Sequence, residues 1–418
     1  MTFFQTVIIA LAVIQLLSEL LLKKKNEARI NSLKSHPPSE INGIMDFDTW
    51  KKTSNYSLDK SKFSSLSEIL GFLFFVPIFL LFFPWFFSQW STSSEVGILT
   101  CAFTVCAFLT VLQIPSLPLD WYQQFKLEEK YGFNKSTIKL WVSDKIKGTL
   151  LGFGLGVVLL STLIFLFREI SKFFPNYWWV ISFIVFFGIQ LLLMIIWPKV
   201  ILPIFNKLSP LEDGDLKKRL LSLADRTGFK AKSIEVIDGS KRSGHSNAFF
   251  TGFGKYRRIV LYDTLLNQMN HEEVEAVLAH EVGHYIKGHI PKRLFISFLS
   301  GLAFFGLIAF SVHSPWLYLQ SSLPLNLEGS LSSIIVLFSM TMGFFTYWIS
   351  PVSNLFSRKH EFEADAFAKA SIGGETHLIE ALRKLYRENL THPLPHPWIA
   401  TFHFSHPTIL ERERALRA

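Results

Sequence analysis

The chain has 418 residues, 49% hydrophobic and 15% aromatic, and only 18% are charged, below the roughly 25% of soluble domains. This balance excludes an ordinary soluble domain and points to an α-helical multi-pass membrane protein. The formal net charge of +9 does not argue for nucleic acid, because the basic residues lie in loops beside apolar runs, as the positive-inside rule expects.

The first apolar run, Phe3–Leu22, has no basic residue before it and Lys23, Lys24, Lys25 and Arg29 after it. It therefore reads as an anchoring span with its N-terminus outside, not as a cleaved signal peptide. Six further runs approach the roughly 20 apolar residues that cross a bilayer: Ile69–Phe87, Val96–Ile114, Leu150–Phe167, Trp178–Trp197, Leu294–Val312 and Ile334–Val352. The loops after the first, third, fifth and seventh runs carry nearly all the Lys and Arg. Ser88–Glu95 and His313–Ser333 carry none, and the remaining outer loop has only Arg168 and Lys172. This alternation predicts seven transmembrane helices with the C-terminus inside. The sequons at Asn55, Asn134 and Asn389 then face inward, where glycosylation is not expected. Cys101 and Cys106, both within an apolar run, read as thiols packed in or against lipid. Gly152, Gly154 and Gly156 mimic a dinucleotide loop, but no strand precedes them, so close helix packing is the better reading.

The expected organisation is membrane helices over 1–200, an inner-face segment over 201–293, a membrane hairpin over 294–352 and an inner-face tail over 353–418. Within 201–293 the pattern predicts a helix near Asp213–Thr227 and a strand at Ser233–Ile237. A hairpin should pair Asn247–Thr251 with Arg257–Tyr262 across Gly252, Phe253, Gly254 and Lys255. A strong helix follows, with Asn270 as N-cap and Glu272 and Glu273 at the positive end of the dipole.

That helix carries His280-Glu281-Val282-Gly283-His284. Histidines four apart project from one face and can share a tetrahedral zinc ion. Glu281, beside the metal but not aimed at it, suits a base that takes a proton from attacking water. The motif could arise by chance on a solvated helix. However, Val274, Val277 and Leu278 define an apolar stripe that His280, Glu281 and His284 extend, and ionisable groups on a core face are costly unless paired or metal-bound.

Catalytic zinc usually takes a third protein ligand. Lys287 and Ile290 occupy the positions where a metzincin would have Gly and His. A Glu on a second helix is the other common solution, and Glu361 is the best candidate, although an acidic helix taken alone is more often a solvated face. Asp365, one turn on, could accept the free N–H of a ligating histidine, and Glu363 should point elsewhere. His284 lies about ten residues before the sixth span and Glu361 about nine after the seventh. The membrane hairpin thus returns Glu361 to the side of the histidines, within roughly 15 Å of the boundary at about 1.5 Å per residue.

The HEVGH helix, Ser357-Arg358 through Glu361-Phe362-Glu363-Ala364-Asp365, and Lys241-Arg242-Ser243-Gly244-His245-Ser246-Asn247-Ala248-Phe249-Phe250 together resemble the Ste24-type CAAX prenyl proteases of the M48 zinc metallopeptidases. Echoes at Tyr56–Lys60, Glu128–Asn134 and His406-Pro407 extend the resemblance over nearly the whole chain. It implies a mostly helical, zincin-like metallopeptidase domain with a small β-hairpin or sheet, the site enclosed in a chamber of seven membrane helices. It implies one Zn2+ held by His280, His284 and Glu361, with Asp365 supporting a ligand and Glu281 as base. It also implies that the Asn247–Ala248 strand edge binds the substrate backbone, and that His406 and Arg412 face the scissile carbonyl. Glu363 departs from relatives, which often carry Gln. Apart from His406 and Pro407, the Pro/His-rich stretch over 391–407 gains no role from the resemblance.

The expected activity is cleavage near the C-terminus of membrane-attached, prenylated proteins or peptides, with no nucleic acid and no obligate protein partner. The expected location is a bacterial inner membrane or the endoplasmic reticulum, with the active site on or near the cytoplasmic face. The competing readings are an HtpX-like quality-control metalloprotease and a non-enzymatic seven-span receptor or transporter. The spans hold almost no charge, which argues against a transport path.

Overall fold

The computed structural model describes residues 1–89, 97–230, 233–251, 257–327 and 329–418. The seven expected spans, the third described from Gly97 because Val96 lies outside the described residues, correspond to helical rods long and apolar enough to cross a membrane: α1 (Phe3–Lys34), α2 (Phe47–Ser88), α3 (Ile98–Tyr131), α4 (Ile138–Phe173), α5 (Trp178–Phe205), α8 (His289–Val312) and α9 (Leu331–Ile372). Most rods outrun their apolar runs. α2 is capped by Asp46, whose side chain accepts from Thr49 N at 2.7 Å, well before the lipid-length stretch. It passes Pro77, which removes a donor, through a wider π turn at Ile78–Phe82.

α9 joins two elements expected to be separate. The seventh span runs through a tight turn at Tyr347–Ile349 into Ser350–Ile372, the helix that carries Glu361. Pro351 falls in the first turn of that second stretch, where its missing N–H costs nothing, so the rod continues.

Between α5 and α8 lie α6 (Asp215–Thr227) and α7 (His271–Ile286). They pack with a four-stranded sheet of order β1-β2-β4-β3, where β1 is Leu208–Pro210, β2 Ser233–Ile237, β3 Ala248–Thr251 and β4 Arg258–Tyr262. The expected hairpin is present as antiparallel β3 and β4, with Ala248 opposite Leu261 and Thr251 opposite Arg258. Its turn residues, Gly252 to Lys255, lie outside the described residues. β2 runs parallel to β4, and β1, an edge strand ending in Pro210, was not expected. β3 is the opposite edge. The tail adds α10 (Thr376–Glu388), α11 (Pro397–His403) and α12 (Ile409–Arg417).

One core joins these inner elements, including Leu223, Leu261, Leu278, Leu382 and Ile409 with Trp50 from the start of α2. Burial of each such side chain contributes on the order of 1.5–3 kcal/mol. The tail and the loop between α1 and α2 are thereby tied to α7. The glycine run on α4 packs tightly only at Gly156, where an added Cβ would lie 2.9 Å from Cys106 Sγ. Gly152 and Gly154 would meet nothing within 4 Å among the described residues. Cys101 and Cys106 are both buried.

Candidate metal centre

The residues of α7 specify a helix from its first turn. Asn270 and Glu273 form a reciprocal capping box with both bonds at 2.9 Å, and Lys384 Nζ secures Glu273 at 2.7 Å. Val274, Leu278, Ala279 and Val282 are buried, so the face bearing His280 and His284 is held against α9. Gly283 sets the approach, since a Cβ there would stand 3.0 Å from Ala364 Cα and carbonyl oxygen. Only a residue without a side chain lets the two backbones come this close, and this brings Glu361 to the histidines.

His280, His284 and Glu361 offer ligand atoms that all lie within 4.8 Å of one another. The two Nε2 atoms are 3.2 Å apart, Glu361 Oε2 is 3.2 Å from His280 Nε2, and Glu361 Oε1 is 3.3 Å from His284 Nε2. Ligands at 2.0–2.1 Å in a tetrahedron stand about 3.3 Å apart, so the spacing suits zinc.

The proton inventory points the same way. His280 Nδ1 lies 2.8 Å from Asp365 Oδ1, and a carboxylate only accepts, so Nδ1 carries the hydrogen and Nε2 presents a lone pair. His289 Nε2 donates to Glu363 at 2.9 Å, which leaves its Nδ1 to accept from His284 Nδ1, also at 2.9 Å. His284 Nε2 therefore presents a lone pair as well. Two lone pairs and a buried carboxylate converge, and Glu361 Oε2 has no hydrogen-bond partner among the described residues. Such a set is repulsive unless a cation sits at its centre. Where a proton stands in for that cation on Nε2, burial lowers the His280 pKa, but Asp365 and Glu361 outweigh it and raise the imidazole to about 9.

Asp365 is 2% exposed and is also gripped by Arg412, with Nε–Oδ2 at 2.7 Å and Nη2–Oδ1 at 2.5 Å. Arg412 is itself buried, and its Nη2 stands 3.2 Å from His280 Nδ1. A cavity of about 390 Å³ opens beside the cluster, lined by Asn247, Ala248, Glu281, His406, Arg412 and Tyr386, among others. Burial pushes the Glu281 carboxyl up, with His280 and His284 opposing. His406 sits at the mouth, its side chain 64% exposed and Nε2 3.4 Å from Glu361 Oε1. Ala248 begins the edge strand β3, Asn247 directly precedes it, and both line the same cavity.

The fold thus brings the candidate site residues His280, Glu281, His284, Glu361, Asp365, Asn247, Ala248, His406 and Arg412 to one place. It also adds residues that sequence reasoning missed. Glu363 was expected to point away, and it does leave the metal face, but His289 meets it and carries its charge back to His284. His289 is 1% exposed and stacks on His360 at 4.0 Å. The signal available was a third histidine five residues past His284. Asn389, read only as a sequon, lines the cavity and accepts from Ser246 N at 3.2 Å.

Residues 27–207 match the CAAX prenyl protease N-terminal family, described by five membrane helices, and residues 210–418 match peptidase family M48. The chain is 38% identical to CAAX prenyl protease 1 of Saccharomyces cerevisiae over 408 residues, covering 91% of this chain and 88% of that protein. It is 36% identical to the Arabidopsis thaliana homolog, covering 91% and 90%. The crystal structure of S. mikatae Ste24p superposes with a TM-score of 0.87 at 33% identity, covering 100% of this chain and 99% of that one. With its convergent histidines and glutamate beside a seven-helix membrane body, this chain belongs to peptidase family M48 and is an integral multi-pass membrane metallopeptidase.

Proposed function

We propose that the chain is a zinc endopeptidase that cleaves near the C-terminus of membrane-tethered, prenylated proteins. The carrying observation is the convergence of His280 Nε2, His284 Nε2 and the Glu361 carboxylate beside Glu281. The relatives' names, CAAX prenyl protease 1, support the substrate class. The zinc, when bound, supplies Lewis-acid chemistry that acidifies water and polarises a carbonyl.

The chain's own residues do the rest. The free edge of β3 at Asn247 and Ala248 pairs with the substrate backbone as an added strand. Glu281, kept basic enough by burial, takes a proton from the attacking water and returns it to the leaving amine. His406, at the cavity mouth, faces the scissile carbonyl and steadies its developing charge. Two of Arg412's donors hold Asp365, so its share is the positive charge behind His280 together with any remaining donor toward the carbonyl.

The basic loops lie on the side of the membrane that bears the metal centre, which supports an active site at the cytoplasmic face of a bacterial inner membrane or the endoplasmic reticulum. The test is purified protein with measured zinc content and a farnesylated C-terminal peptide. Glu281→Gln should retain about one zinc and lose at least 10²-fold in turnover. Full turnover in that variant refutes the mechanism.

A further inference from the structure

A cavity of about 610 Å³ lies where β1 and the turn after β2 meet the ends of α4 and α5, and it shares no lining residue with the cavity at the metal centre. Its wall carries Lys147, Lys199, Lys207, Lys241, Arg242 and Arg258 against two carboxylates, Glu235 and Asp238. Both carboxylates are already engaged. Glu235 accepts from Arg258 Nη1 at 2.9 and 3.1 Å, and Asp238 accepts from Lys207 N at 2.8 Å and Asn206 Nδ2 at 3.3 Å. Asp144, outside the lining, holds Arg242 at 2.8 and 3.1 Å. Lys147 donates to a carbonyl, Ile204 O, at 3.3 Å, and the side chains of Lys207 and Lys241 have no carboxylate partner among the described residues.

A concave wall dominated by one sign of charge focuses the field within it, so this pocket attracts anions. Two of its guanidiniums also have donors to spare. Arg242 Nη1 and Arg258 Nε are buried with no hydrogen-bond partner among the described residues. Buried unmet donors are uncommon in folded proteins, and negative charge in the adjoining space offsets their cost.

The position of the pocket selects the anion. Lys147 precedes the apolar run of α4, which begins at Leu150, by less than one helical turn. Lys199 follows the apolar run of α5, which ends at Trp197, by two residues. The pocket therefore opens at the membrane boundary. Ile204 in its wall is exposed, as are Trp197 and Val200 beside Pro198 and Lys199 in the chain. These side chains give acyl chains a surface to lie on, which a free phosphate would not need. We infer that the pocket binds the phosphate-bearing headgroup of an anionic phospholipid, as basic pockets between membrane helices can. The headgroup would tie the sheet to the ends of α4 and α5, whatever peptide the enzyme cuts.

The experiment is native mass spectrometry of the full-length protein in maltoside detergent, titrated with phosphatidic acid or phosphatidylcholine. Wild type should retain one phosphatidic acid and discriminate against phosphatidylcholine. Lys207→Gln/Lys241→Gln should weaken phosphatidic acid binding roughly 25-fold, about fivefold for each cation at a lipid surface. Both lysines are exposed, so the fold should tolerate the change. Lys51→Gln/Lys52→Gln, an exposed pair near the start of α2, should leave binding unchanged. The pocket is overturned by a wild type without preference for phosphatidic acid, by undiminished binding in the first variant, or by equal loss in both variants. Glycerol 3-phosphate, the same headgroup without its chains, should displace the lipid only at far higher concentration. Displacement at equal concentration overturns the lipid and assigns the pocket to a soluble anion.

Discussion

Asp365→Ala separates two jobs that one carboxylate performs. Asp365 is 2% exposed and its partners Arg412 and His280 are each 7% exposed. It accepts from Arg412 at 2.7 and 2.5 Å and from His280 at 2.8 Å. Its removal leaves a buried guanidinium uncompensated, a loss of about 3–5 kcal/mol in stability. It also frees the His280 ring to rotate or change tautomer, which lowers metal affinity by about 10–100-fold, or about 1.4–2.8 kcal/mol. Denaturant titration in detergent reads the first effect, and zinc occupancy against a chelator series reads the second. The double variant Asp365→Ala/Arg412→Ala removes both buried charges. Most of the lost stability should return, whereas zinc affinity should not, because His280 still lacks its acceptor. Recovery of both together would show that Arg412 alone governs the site. A double variant as unstable as the single would refute the buried-charge account.

The Glu363–His289–His284 relay makes a contrasting prediction. Glu363→Gln keeps an oxygen to accept from His289 Nε2 and should hold zinc nearly as well as wild type, while Glu363→Ala should lose up to about tenfold in affinity. Equal loss in both variants, read by the same chelator series, would dismiss the relay. His392 predicts a pH effect on stability. Burial, with Arg29 nearby, lowers its pKa to about 4, and it packs on Trp50 with ring centroids 4.8 Å apart. Below the unfolded value near 6.5 the unfolded chain binds the extra proton, so stability falls as pH drops from 6.5 toward 4, by about 3 kcal/mol in all. His392→Phe should remove that slope; an unchanged pH dependence of unfolding refutes the assignment.

What could be read in the sequence was what repeats or has a fixed period. Seven apolar runs give seven rods, and a four-residue spacing places His280 and His284 on one face. Glu361 followed from topology, because two crossings return the chain to its starting side. What escaped was set by contacts distant in sequence or by breaks in periodicity. β1 is three residues long and ends in proline, too short to show alternation. His289 follows Gly288, whose φ of +67° ends α7, so counting helical turns from His284 misplaces it. Glu363 does lie about 200° round α9 from Glu361, but His289 comes to meet it there. The Pro/His-rich stretch had no pattern to read. It is stitched to α1, with Asn26 accepting from His396 N at 2.8 Å, Arg29 donating to Leu394 O at 3.3 Å and Lys25 lying over the Trp398 ring at 4.6 Å.

These contacts make the metal centre a product of membrane packing as much as of the HEVGH motif. Two of the proposed ligands ride on α7, which ends just before α8 enters the bilayer, and the proposed third rides on α9 as it leaves. The distance between them is set at three heights. Phe304 and Phe338 pack at 6.0 Å between α8 and α9 in the span. Arg293 donates to Ser357 at 3.2 Å near the inner boundary. Gly283 meets Ala364 at the site itself. Ligand atoms about 3.3 Å apart tolerate little drift before tetrahedral geometry fails, so loosening the α8–α9 hairpin must reach the metal. The helices that place the enzyme in lipid also hold Glu361 beside the histidines, so the inner segments cut away from the hairpin would retain the HEVGH helix without Glu361 in place.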